Sequence, residues 1–157
     1  MSFADKYFQK YDSFDNFISD EPESNLNIVT VIPCFNEKDL NKTLHSLLNC
    51  KKPDCSVEII VVINSGENSS KEIILQNEVT FNEAKTFSEK YSQKCFKFHI
   101  INAEKLPEKF AGVGLARKIG MDIAAFHFNK IDKPNGIITG FDADTITKEN
   151  YFTEIEE

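Results

Sequence analysis

The stretch "NIVTVIPCFNE", residues 27 to 37, decides the fold. Its first seven residues form a β-branched, nearly continuous apolar run, the pattern of a strand buried on both faces of a sheet. Pro33 then fixes the chain direction and removes a donor, and Asn36 and Glu37 stand where the next helix begins. There they either cap that helix or offer polar atoms to a ligand.

Outward from this stretch the chain alternates. Leu40, Leu44, Leu47 and Leu48 share one helical face. "VEIIVVI" (57–63) predicts a second strand, and Ser69 or Ser70 caps a long helix carrying Ile74, Phe81, Ala84, Phe87 and Tyr91. "FKFHII" (96–101) is the third strand, a helix follows over 112–128, and "GIITGF" (136–141) is the fourth strand. This order predicts a Rossmann-like α/β architecture: a mostly parallel sheet with helices on both faces, joined by right-handed crossovers. Ligands bind such sheets beyond the carboxyl ends of the strands, where the strand order reverses, so the residues just after each strand are the candidates.

The 157 residues suffice for one domain with a hydrophobic core. A net charge of −7 supplies no basic field for nucleic acid, although a bound cation and a few basic groups can still invert the sign of a small site. Cys34, Cys50, Cys55 and Cys95 lack C-x-x-C spacing, as expected of reduced thiols, and no stretch approaches a membrane span or a signal core. The expected location is the cytoplasm. Residues 1 to 24 place Phe3, Tyr7, Tyr11, Phe14 and Ile18 at spacings of three and four, which predicts an N-terminal helix for core packing or partner docking. "SDEPESN" reads as a linker into the domain at 25–157.

Three more strand ends complete the set. Asn64, Ser65 and Gly66 read as a tight polar turn, and an Asn amide both accepts and donates, as reading a base edge requires. In "FAGVGLARKIG", Gly112 and Gly114 permit close backbone approach, while Arg117 and Lys118 lie in the first helical turns, a setting that suits a diphosphate. This is neither a G-x-G-x-x-G fingerprint nor a P-loop. Asp142 and Asp144, in extended chain, project to the same side. Few, hard oxygen ligands suit Mg2+ or Mn2+, completed by phosphates and water; the alternative is that the pair merely ends the strand.

In this order, "VIPCFNE", "EIIVVINSG", "GLARKIG" and "GFDAD" resemble the nucleotide-binding N-terminal half of family 2 glycosyltransferases, which have the GT-A fold. The resemblance covers about residues 27 to 150. It implies that Pro33, Asn36, Glu37 and Gly66 line a nucleotide-sugar site, with Asn64 at the position that reads the base of a UDP- or GDP-sugar. Arg117 would face the diphosphate, Asp142 would lie near the ribose, and Asp144, with Asp142, would hold Mn2+ or Mg2+. The implied activity is inverting sugar transfer to an acceptor hydroxyl, on a glycan or a lipid-linked molecule.

Two departures stand out. Ile63 and Asn64 occupy positions where many members have two acids, so an amide must accept from the base. Only 13 residues follow Asp144, so the acceptor-binding half and its catalytic carboxylate have no counterpart, and Glu149, Glu154, Glu156 and Glu157 read as a solvated acidic tail. The expectation is therefore the donor-binding portion of a transferase. The alternative is a non-catalytic nucleotide-binding or protein-interaction module with a truncated GT-A fold. A nucleotidyltransferase ranks last, because "PCFNE" is not a Gly-rich, Arg-containing loop.

Overall fold

The computed structural model describes residues 1–11, 17–106 and 112–157. The elements run α1 (Asp5–Lys10), β1 (Leu26–Cys34), α2 (Leu40–Leu48), β2 (Ser56–Gly66), α3 (Lys71–Tyr91), β3 (Phe96–Leu106), α4 (Val113–Lys130), β4 (Ile137–Gly140) and α5 (Tyr151–Glu156). The four strands form one all-parallel sheet in the order β3-β2-β1-β4. The fold is α/β with helices on both faces, as the alternation predicts.

Period-two alternation divides each strand between two cores. Ile28, Ile32, Ile59, Val61, Ile63 and Phe98 pack with α2, α3 and Phe152 of α5 on one face, whereas Val29, Val31, Ile60, Val62 and Ile101 pack with α4 on the other. Gly120 sets the approach of α4: a Cβ there would overlap Cγ1 of Val31, so helix and β1 come together at a spacing only glycine permits. Ser70 caps α3, its side chain accepting from Ile73 N at 3.3 Å.

The strands depart from their apolar runs in both directions. β2 and β3 continue past their apolar runs, by Asn64–Gly66 and by Asn102–Leu106 respectively. The expected tight turn at Asn64–Gly66 is thereby corrected: this segment is buried strand, with Asn64 paired to Ala103 and Gly66 to Leu106. Its backbone pairs partly through the ladder and partly with side chains, Gly66 N donating to Ser69 Oγ and Asn64 O accepting from Asn77 Nδ2. β4, expected to be a core strand over 136–141, spans only Ile137–Gly140, half-buried and paired to β1 alone among the described residues.

The termini also differ from expectation. α1 covers six residues and does not reach Tyr11 or Ile18; Phe14 lies outside the described residues. It docks on α4, where Tyr7 donates to Asp122 at 2.8 Å and Phe8 meets Phe126 edge-on, yet Phe3 and Tyr11 remain 47% and 46% exposed. In the linker, Glu21 pairs with Lys130 at 2.9 Å and Glu23 with Lys97 at 3.9 Å. The solvated acidic tail is corrected in part: Glu149, Glu154 and Glu157 are exposed as expected, but the segment that carries them is docked. Phe152 is fully buried, and Glu156 accepts from the amides of Asp54 and Cys55 at 3.1 and 2.9 Å. The apolar stripe Tyr151–Phe152–Ile155 outweighs the acidic composition around it. Among the described residues no helix is long and apolar enough to cross a membrane, and all four cysteines are free thiols.

Candidate functional site

The strand order reverses between β1 and β4, so the crevice beyond their carboxyl ends is the place where this topology receives a ligand. Its far wall is the extension of β2 and β3. Pro33 sits in β1 past the last β1–β4 pair, Val31 with Gly140, so its missing N–H breaks no bond on that side. Cys34 follows. Burial first, and the nearby Glu37 carboxylate second, push its thiol up to about 12, which leaves it no nucleophilic role.

Asn36 is exposed and adopts a left-handed conformation, φ 48°. Asn tolerates that region better than most residues, and strained backbone of this kind persists only where neighbours hold it. Its amide donates to Asn77 Oδ1 at 2.9 Å, and the carbonyl of Glu37 accepts from Thr80 Oγ1 at 2.7 Å. The Glu37 carboxylate accepts from the Asp39 amide at 2.8 Å, which commits Oε1 to the start of α2.

Across the crevice the chain leaves β4 with alternation intact. Phe141 and Ala143 are buried, whereas Asp142 and Asp144 are exposed. Thr43 of α2 fixes this segment by donating to the Ala143 carbonyl at 2.7 Å, and a turn closes it where Thr145 N donates to Asp142 O at 3.1 Å. Arg117 reaches over from α4, passing Gly140, and its Nη2 lies 3.9 Å from Asp142 Oδ1. Both groups are solvated, so the pair adds little stability and is available to a ligand. The α4 N-terminus beside it begins at Gly112, φ 128°, with no side-chain cap on its first amides. Lys118 points the other way, toward Tyr7 and Asp122.

One predicted contact residue is displaced from this surface. Asn64 is 0% exposed; its Nδ2 donates to Cys34 O at 2.9 Å, and its Oδ1 is buried without a partner. The expectation that it accepts from a base is corrected on that ground, because no atom of it is open to a ligand. Gly66 is buried too, its amide donating to Ser69 Oγ at 3.0 Å. The structure thus places Asn36 and Glu37 just after β1 and Asp142 and Asp144 just after β4, at the same end of the sheet, sets Arg117 against Asp142, and buries Pro33, Asn64 and Gly66.

Asn77, Thr80 and Thr43 went unread in the sequence. A signal existed: stepping back along α3 from Phe87 by three, four and three reaches Ala84, Thr80 and Asn77, all buried, whereas Ile74, expected on the inner face, is 38% exposed. A cavity of about 720 Å³ lies elsewhere, along the outer edge of β3. Ser92 and Ser88 already cover that edge, Ser92 Oγ accepting from Phe98 N at 3.0 Å.

No protein-family model matches the chain, and no curated protein matches it. Among solved structures it is similar to S. aureus TarS, residues 1–349, at 15% identity and a TM-score of 0.49. The likeness covers 83% of this chain and 31% of that one, so the chain spans about a third of its neighbour's length. At that score the chemistry of the crevice rests on the chain's own residues.

Proposed function

We propose that this chain is the donor-binding portion of a metal-dependent glycosyltransferase, of the inverting family 2 type, acting on a UDP- or GDP-sugar and the hydroxyl of a glycan or lipid-linked acceptor. The observation that carries this reading is the meeting of Arg117 with Asp142 at the β1/β4 switch point, 3.9 Å separating guanidinium from carboxylate, with Asp144 exposed two residues further on. A lone pair of acids ends many strands; a pair facing a guanidinium and an uncapped helix start offers both halves of a metal–diphosphate contact.

The residues fit the ion. Asp144 has no partner among the described residues, and no third acidic or imidazole group joins the pair there. Two carboxylates suit Mn2+ or Mg2+ that is completed by substrate phosphates and water, and do not make a closed protein cage. The ion, when bound, neutralises charge on the departing diphosphate. Arg117 orients the same phosphates, Asp142 lies toward the ribose, and Asn36 and Glu37 bound the nucleoside side. Base contact falls to groups lining the crevice, since Asn64 is buried.

Titration calorimetry with UDP and GDP, in Mn2+ and in EDTA, tests the assignment. Asp144→Asn should abolish the Mn2+-dependent part of the affinity; unchanged metal-dependent binding in that variant would reject it. The second reading, a non-catalytic module, draws on Phe3 and Tyr11, which expose apolar surface next to α4. It requires partner binding through that surface, or nucleotide binding, with no sugar transfer in any chain containing this segment.

A further inference from the structure

Three hydrogen bonds at the end of β1, closed by the backbone from Cys34 to Asn36, form a ring that the sugar-transfer reading leaves unused. Asn36 N donates to Asn77 Oδ1 at 2.9 Å, and Asn77 Nδ2 donates to Asn64 O at 2.9 Å. Asn64 Nδ2 returns to Cys34 O at 2.9 Å, two residues before Asn36. Thr80, one helical turn beyond Asn77, adds a bond from its hydroxyl to Glu37 O at 2.7 Å, and Gln76 Nε2 orients that hydroxyl at 3.0 Å.

Burial gives these bonds their force. Asn77 and Asn64 are 0% exposed and Thr80 is 3% exposed. A buried amide on an otherwise apolar helical face costs desolvation unless both of its ends are used, and here both are. What they grip is the left-handed Asn36, φ 48°, at the crevice rim. Left alone, that backbone would relax toward the far commoner right-handed or extended regions.

We propose that Asn77 and Thr80 of α3 are positioning residues: they hold the Asn36–Glu37 backbone in its ligand-facing conformation, and nucleoside diphosphate affinity depends on them although neither touches the ligand. The ligand half of the proposal rests on the donor-site reading; the bracing half does not. Asn77 is chosen by chemistry. Only a side chain that accepts at one end and donates at the other fits between Asn36 N and Asn64 O, so Asp fails at the donor end and Leu at both. Asn64 acts in the same ring, through Cys34 and Asn77.

The test uses the full chain as Thr80→Val, Thr80→Ser, Asn77→Asp and Asn77→Leu, with two readouts. Amide hydrogen exchange of Asn36, by NMR without ligand, reports the brace; Kd for UDP and GDP in Mn2+ reports its consequence. Thr80→Val is nearly isosteric and keeps the fold testable if Asn77→Leu does not fold. Faster Asn36 exchange and roughly tenfold weaker binding are expected in Thr80→Val and Asn77→Leu, with Thr80→Ser restoring the wild-type values, whereas Asn77→Asp keeps the acceptor for Asn36 N and loses only the bond to Asn64 O. Unchanged Asn36 protection in a folded Thr80→Val or Asn77→Leu chain would overturn the brace. Lost protection with unchanged Kd would overturn its role in binding. If the wild-type chain binds no nucleotide, the donor-site reading fails, and Asn36 exchange still decides whether the ring holds the rim.

Discussion

Arg117 on α4 and Asp142 after β4 face each other across the crevice at 3.9 Å, brought together from elements that pack on different partners. α4 rests on β1 through Gly120, and the Asp142 segment is tied to α2 through Thr43. If a diphosphate bridges this gap, Arg117→Ala should weaken nucleotide binding by about 1.5–3 kcal/mol, the range for a hydrogen bond to a charged group. Arg117→Lys should recover only part, since an ammonium cannot form the guanidinium fork. Calorimetry with UDP and GDP measures both, and full affinity in Arg117→Ala would remove the guanidinium from the site.

Metal alone should bind poorly. With no group of three or more ligating side chains among the described residues, Mn2+ titrated without nucleotide should show weak affinity, and nucleoside diphosphate should tighten it. A tight site in the absence of nucleotide would point to ligands other than Asp142 and Asp144.

Glu58 supplies a stability prediction remote from the crevice. Burial works to raise its pKa, but the hydrogen bond with His127 and the nearby imidazoles of His127 and His99 outweigh this and hold the carboxyl at about 2, below its ordinary 4.5. His127 carries most of the effect: its Nδ1 lies 2.6 Å from Glu58 Oε2, whereas His99 Nε2, at 3.8 Å, is beyond hydrogen-bond distance. A carboxyl depressed in the folded state stabilises fully above its unfolded value. Its contribution is therefore present above about pH 4.5 and is lost as pH falls toward 2. His127→Ala should cost about 3–5 kcal/mol at neutral pH by leaving a buried charge unpaired, and should flatten the acid limb of the stability curve. Denaturant melts across pH would check both.

Much of this architecture was legible because burial writes itself into side chains. Residues 27–33, 57–63 and 96–101 are apolar for the reason that they lie in a sheet covered on both faces, and Asp142 and Asp144 are readable as outward partners of Phe141 and Ala143. The strand extensions were not legible. Asn64–Gly66 and Asn102–Leu106 are strand because their backbones pair, and pairing leaves no mark on polar side chains. Asn77 and Thr80 were hidden for a related reason: hydrogen bonding makes a polar group at home in a core where composition would place an apolar one. The acidic end deceived by count, since the buried Phe152, with Tyr151 and Ile155 packed beside it, docks that segment.

Phe152 offers the corresponding check. It is fully buried against Phe96 and the α2–α3 face, so Phe152→Ala should destabilise the chain by about 3–5 kcal/mol. A thermal melt within a degree or two of wild type would return the last residues to the status of a tail.

In the proposed function the crevice binds a nucleoside diphosphate through a metal held by Asp144. The most direct measurement is a thermal-shift panel of UDP, GDP, CDP and their sugars, with and without Mn2+, on the wild-type and Asp144→Asn chains, because a ligand that binds only the folded state raises Tm by mass action. The account predicts a rise with at least one diphosphate that needs Mn2+ and vanishes in Asp144→Asn. No rise with any of them, or an equal rise in EDTA and in the variant, would contradict it.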